Sequence, residues 1–163
     1  MSVDGLLEWI KATPVSEAIA ESDWLFPSIE SVHVIALTLV VGSIAIVDLR
    51  LLNLASRSRP VREVIAAILP LTWAAFALSV VTGLTLFVAK PVVYGHNGFF
   101  LVKLGLIALA GLNMGAFHLF IDRTLPSPAS LDPASRLAKA SALASLGLWI
   151  GVVTCGRWIG FTI

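Results

Sequence analysis

Four long apolar stretches constrain this chain more than anything else in it. A transmembrane helix needs about 20 mostly apolar residues. Four segments meet that length: about 29–54, 64–89, 99–121 and 137–160. The breaks between them read "ASRSRPVRE", "KPVVYGHNG" and "DRTLPSPASLDPASR". Each contains Pro together with Ser or Gly, which are loop signals. Over the whole chain, 58% of residues are hydrophobic and 13% are charged, with a mean hydropathy of +0.94. A soluble domain sits near half apolar and a quarter charged. These features predict an all-α, polytopic membrane protein. Its four-transmembrane-helix bundle occupies 29–163, behind an amphipathic, interfacial N-terminal arm at 1–28.

The arm, "LLEWIKATPVSEAIAESDWLFP", is too polar to span. It reads as two short amphipathic pieces broken near Pro14 and lying on a membrane face. Trp9, Trp24 and Phe26 favour the interface. The first 28 residues lack a basic region followed by an apolar one, so the first span is expected to serve as the targeting signal. A net charge of +1 gives no electrostatic case for nucleic acid. One cysteine excludes an internal disulfide and any multi-cysteine metal site. With the N-terminus outside, Arg50, Arg57, Arg59, Arg62, Arg123, Arg136 and Lys139 fall inside. Lys11, Lys90, Lys103 and Arg157 then fall outside. The positive-inside rule favours this topology, with both termini outside.

Gly111 and Gly115 in the third span have GxxxG spacing, as do Gly147 and Gly151 in the fourth, with Ala140 and Ala144 on the same stripe. Such stripes let backbones approach closely in lipid. They predict a compact bundle, with a homo-oligomeric face as the competing use.

The ionisable groups sort by depth at about 1.5 Å of rise per residue. Glu30, His33, Thr82, Lys103, Thr154, Cys155 and Arg157 form a layer near the outer end, with Tyr94 and His96 in the loop beside it. Asp48, Arg50, His118, Asp122 and Arg123 form a second layer near the inner end. Asn113 is close to the middle. At about 100° per residue, Glu30 and Asp48 share one face of the first span, with His33 within about 60° of both. Lys103 and His118 are similarly placed on the third span. Arg50 points away, and its plain reading is a head-group anchor. Lys103 reads equally as a snorkelling side chain. His33 has a plain reading as a structural histidine and His96 as a surface one. Cys155 has one as a small packing residue. Ionisable groups inside a membrane are nonetheless functional candidates.

Imidazole is an axial ligand of haem iron, and helical bundles hold cofactors between facing side chains. One iron shared by His33 and His118 is excluded by depth, since they lie on the order of 20 Å apart along the normal. Two haems, one near each face, fit the depths. Copper held by His33, His96 and Cys155 is the second cofactor reading. No CxxCH, HExxH, P-loop or Ser-His-Asp arrangement is present, and whether the chain is an enzyme stays open.

The runs "IESVHVIALTLVVGSIAIVDLRLL", "LTWAAFALSVVTGLTLF" and "GFFLVKLGLIALAGLNMGAFH" resemble a family of small bacterial four-helix inner-membrane proteins of unknown function. The resemblance covers nearly the whole chain from about Pro27 onward. More remotely, His33, Arg50 and Lys103-Leu104 are similar to the pattern of protoporphyrinogen-oxidase-like haem-binding four-helix proteins. His33 with Gly42 is similar to the opening of copper-resistance-type four-helix proteins. The resemblance implies a haem b site on His33, with Lys103 and Arg50 as propionate or functional partners. Asp48 departs from the usual neighbourhood of that arginine.

The expected function is thus a b-type-cytochrome-like protein of the bacterial inner membrane. It would transfer electrons between a periplasmic or membrane partner and the quinone pool, or a second haem near His118. Its expected cofactor-binding residues are His33, His118, Lys103, Arg50 and Glu30; its expected metal ligands are His33, His118 and His96. The alternatives are a non-enzymatic subunit or anchor of a membrane complex, and a protein handling copper or small solutes.

Overall fold

The computed structural model describes residues 2–121, 123, 125 and 133–162. Two short helices, α1 (Val3–Lys11) and α2 (Pro14–Ala20), form the arm. Both open on a side-chain cap that accepts a backbone N–H. Ser2 accepts from Gly5, and Thr13 accepts from Ser16 with Pro14 at the first helical position. Such caps satisfy N–H groups that have no partner within the helix.

Four long helices follow: α3 (Leu25–Leu51), α4 (Val61–Ala89), α6 (Gly98–Ala116) and α7 (Arg136–Thr162). A short helix, α5 (Pro91–Gly95), joins α4 to α6, and a π-helical turn (Phe117–Ile121) extends α6. All four long helices are long and apolar enough to cross a membrane. At about 1.5 Å per residue, α3 and α7 are each about 40 Å long, more than the roughly 30 Å hydrocarbon core requires. No strand occurs among the described residues. The chain is an all-α, multi-pass membrane protein. The first span begins at Leu25, four residues before its expected start, and the third runs into the π turn. The expected loop at 122–136 lies mostly outside the described residues.

The helices pack in the order α4–α3–α7–α6, and α4 and α6 have no substantial packing on each other. The seams follow a heptad rather than GxxxG. Along α4, Thr72, Ala75, Ser79, Thr82, Leu86 and Ala89 are buried, at alternating steps of three and four. On α7, Ala138, Ala142, Trp149, Val152 and Ile159 fit the same rhythm. This is the spacing of left-handed helix pairs. At mid-height Val40, Ala75, Ala110, Trp149 and Val152 form one cluster drawn from all four helices.

The glycine stripes correct an expectation. A Cβ at Gly111, Gly115 or Gly147 would meet nothing within 4 Å, and only Gly151 is close-packed, against Leu106. Ala140 and Ala144 are exposed. Small residues do hold α3, α4 and α7 together, but they are Ala, Ser and Thr at heptad positions.

The arm also differs from a free interfacial segment. It folds over one end of the bundle, α1 on α5 and α2 on α3 and α4. Leu7 and Ile19 are buried there. Leu7 sits so close to Gly95 that a Cβ on that glycine would lie 2.7 Å from its Cδ1. Trp9 and Trp24 stay exposed, as membrane-interface residues do.

Candidate functional site

The polar groups of the spans gather at two levels, one under the arm and one toward the far end. Under the arm, His33 of α3 faces α4. Its Nδ1 lies 2.9 Å from Thr82 Oγ1. The Thr82 hydroxyl already donates to the Leu78 carbonyl at 2.8 Å, so it accepts from His33 Nδ1–H. The Ser79 carbonyl faces the same ring. This fixes the proton on Nδ1 and leaves the lone pair on Nε2, the arrangement that orients histidine ligands. The ring occupies the notch left by Gly83, where a Cβ would be 3.0 Å from His33 Cε1. Lys103 of α6 is half-buried and lies near His33 and Cys155. Its Nζ is 3.7 Å from where a Cβ on Gly156 would stand. Sequence depth grouped these residues correctly. Glu30 is exposed at the same end, beside Tyr94. Burial, and then Glu30, pushes the Tyr94 hydroxyl above its ordinary range.

His96 does not join this layer. Its Nδ1–H donates to the Val92 carbonyl at 2.9 Å and its Nε2–H to Asp4 of α1 at 3.0 Å. The Val92 carbonyl, then Asp4, hold it above its ordinary pKa. Copper on His33, His96 and Cys155 thus finds no common site. Among the described residues no three His, Cys, Asp or Glu side chains converge as metal ligands.

Arg50 corrects a second expectation. It is not a head-group anchor: it is 0% exposed, and its Nε donates to the Arg59 carbonyl at 2.8 Å. It braces the α3–α4 loop, where Asn53 and Ser56 take left-handed backbone conformations. It is at the far end from Lys103 and His33, so the three do not form one group. His118 is at that far end too, with Nδ1–H donating to Met114 O at 2.9 Å. Asp122 lies outside the described residues.

The second level is a cleft. α4 and α6 meet under the arm, where Phe87 stacks on Phe100 at 5.6 Å. Toward the far end they separate, leaving a cavity of about 610 Å³. Its walls are apolar, with Trp73 and Phe76 from α4, Gly111, Met114 and Gly115 from α6, and Trp149 from α7. Gly111 and Gly115 contribute by having no side chain, so α6 leaves space where close packing was expected. The polar groups come from facing helices: Asp48, Thr72, Asn113, His118, Ser141 and Ser145. Several are already paired. Thr72 donates to Ser43 at 2.9 Å. Asn113 donates to the Ser141 carbonyl at 3.1 Å and accepts from the Ser141 hydroxyl at 3.0 Å. Asp48 receives the Ser145 hydroxyl, but its Oδ2 has no hydrogen-bond partner among the described residues. A mostly apolar cavity with a few convergent polar groups is the usual form of a small-molecule site.

The chain belongs to a family of unknown function, DUF6644. The match covers residues 25–162, beginning at the first residue of α3 and taking in both levels of polar groups. The arm stands before it. No curated protein and no solved structure matches the chain.

Sequence reasoning missed the cleft and its aromatic lining. Heptad-spaced Ser, Thr and Ala on α4 and α7 carried a readable signal for which helices pack. A gap between two helices that do not pack has no such signature.

Proposed function

We propose that the protein is a membrane-embedded binding protein for lipid-soluble small molecules, taken from the bilayer into the cleft between α4 and α6. The observation that carries this reading is the mostly apolar cavity of about 610 Å³, lying where the spans α4 and α6 do not pack on each other. The test uses tryptophan energy transfer to the neutral lipophile N-phenyl-1-naphthylamine, with purified full-length protein in detergent. Saturable transfer is expected, and Gly111→Leu should abolish it by filling the space. Equal saturable transfer in both proteins would sink the idea. The charge bias of the loops supports a bacterial inner-membrane setting with both termini outside, which puts the cleft in the cytoplasmic half.

One observation favours a second reading, a b-type haem in electron transfer. His33 is anchored through Nδ1 to Thr82, which leaves the Nε2 lone pair that a haem iron would take as one axial nitrogen. A haem held there supplies one-electron chemistry, with Lys103 near enough to meet a carboxylate. Neither His96 nor His118 is placed as a second ligand. Expression with ample haem, followed by a reduced-minus-oxidised spectrum, decides the matter. Soret and α bands lost in His33→Ala would establish it. A colourless preparation that carries a stoichiometric partner would favour a membrane-subunit role instead.

A further inference from the structure

The polar atoms of the cleft point to one class of ligand. Asp48 lines it and is only 5% exposed, yet its Oδ2 has no hydrogen-bond partner among the described residues. A buried carboxylate oxygen without a partner is costly, because burial removes water that nothing replaces. Natural proteins keep such groups where a ligand or ion completes them.

Among the described residues, no Lys or Arg lines the cavity. Arg50 is two residues from Asp48 on the same helix and does not line the cavity; its Nε donates to the Arg59 carbonyl, while its buried Nη1 and Nη2 have no hydrogen-bond partner among the described residues. His118 gives its Nδ1–H to the Met114 carbonyl. The remaining wall is aromatic. Trp73 and Phe76 meet edge to face at 6.2 Å and 84°, with Trp149 across from them on α7. An anionic acceptor among aromatic faces is the chemistry that recognises organic cations, through ion pairing and cation–π attraction.

We propose that the cleft is selective for lipophilic organic cations, with Asp48 as the countercharge. This rests on the cleft being a binding site and adds what it binds. The ligand slides in from the bilayer between α4 and α6, lays its apolar body against Trp73 and Trp149, and sets its positive centre against Asp48. Asp48 supplies the countercharge from the cleft wall, with Ser145 already donating to its carboxylate.

The experiment compares isosteric ions of opposite charge on the full-length protein in detergent. Tetraphenylphosphonium and tetraphenylborate are titrated separately as competitors of N-phenyl-1-naphthylamine. The wild type should release the neutral probe to the cation at a concentration at least about tenfold lower than to the anion, a difference of about 1.4 kcal/mol. Asp48→Asn should lose that preference at whatever affinity it keeps for the neutral probe, and Asp48→Glu should retain it. A monodisperse gel-filtration peak in detergent reports that each variant is folded. The wild-type cation-to-anion comparison stands even if Asp48→Asn does not fold.

Equal displacement by the two ions, or an Asp48→Asn protein that keeps the preference, would overturn the assignment of cations while leaving the cleft as a lipophile site. Displacement by decylubiquinol with no preference between the ions would overturn it in favour of a neutral donor. A wild type that binds no neutral probe saturably overturns the cleft reading itself, and the inference with it.

Discussion

The two ends of the bundle use the same four helices to opposite effect. Under the arm they are closed. His33 fills the notch at Gly83 and bonds Thr82, Phe87 stacks on Phe100, and α1 lies across α5 with Leu7 against Gly95. Toward the far end, α4 and α6 part around an apolar cleft, and glycines that could have packed a neighbour face open space. Glycine thus does opposite jobs in one molecule. At 83 and 95 the missing Cβ admits another residue's side chain; at 111 and 115 it leaves room. GxxxG spacing cannot tell these uses apart, because the difference lies in what stands opposite.

The sharpest way to break this contrast is a matched pair of glycine substitutions. Gly83→Val drives a branched side chain against a ring already held by Thr82, and should cost about 2 kcal/mol by overpacking. Gly111→Val should change stability by less than about 0.5 kcal/mol, as at an uncrowded site. Unfolding titrations in mixed detergent micelles measure both, and equal losses would show the two ends to be alike.

Cross-linking probes the same contrast through distance. In a Cys155→Ala background, Phe87→Cys with Phe100→Cys should be bridged readily by a short bifunctional thiol reagent, whereas Trp73→Cys with Gly111→Cys should be bridged at least about tenfold more slowly, because a direct disulfide would need Cα atoms within about 7 Å. Comparable rates would mean that the cleft closes in solution.

A smaller effect is expected from Thr82→Val, which removes the His33 hydrogen bond but keeps the shape. Interhelical bonds of this kind contribute about 0.6–1 kcal/mol in membranes, so a modest shift in the same titration is expected. A shift as large as that of Gly83→Val would mean that the bond rather than the notch sets the arm-end packing.

The smallest effect concerns the latch between His96 and Asp4. His96 is raised in the folded protein above an ordinary value of about 6.5. A raised folded pKa means that the latch contributes fully below about pH 6.5 and is lost as pH climbs through the folded value. Hydrogen exchange of α1 should therefore quicken, relative to that of α7 in the same sample, as pH rises above about 6.5. Asp4→Asn should flatten that dependence. An unchanged slope in that variant would remove the latch as its cause.

Much of the architecture was readable from the residues. Apolar length fixed four spans to within a few positions, since bilayer thickness leaves little freedom. Depth along the helix correctly put His33, Lys103 and Cys155 at one level and Asp48 and His118 at another. Depth is one coordinate, however, and a site needs three. Nothing in the sequence said that Arg50 would turn inward to brace Arg59, because a terminal arginine can reach lipid or loop with equal ease. Nor did it say that His96 would be drawn off to Asp4, 92 positions away. The cleft was least readable of all, being made by what α4 and α6 do not share.

The arm across the bundle carries a consequence for traffic. A carrier that moves cargo across a bilayer must show its interior first to one side and then to the other. Here one end is stoppered by packed helices, and the cleft's way out is sideways, into the leaflet it opens on. If the cleft binds lipophiles as proposed, a molecule that enters between α4 and α6 leaves by the same gap, so the fold would hold and hand over its guest within one side of the membrane.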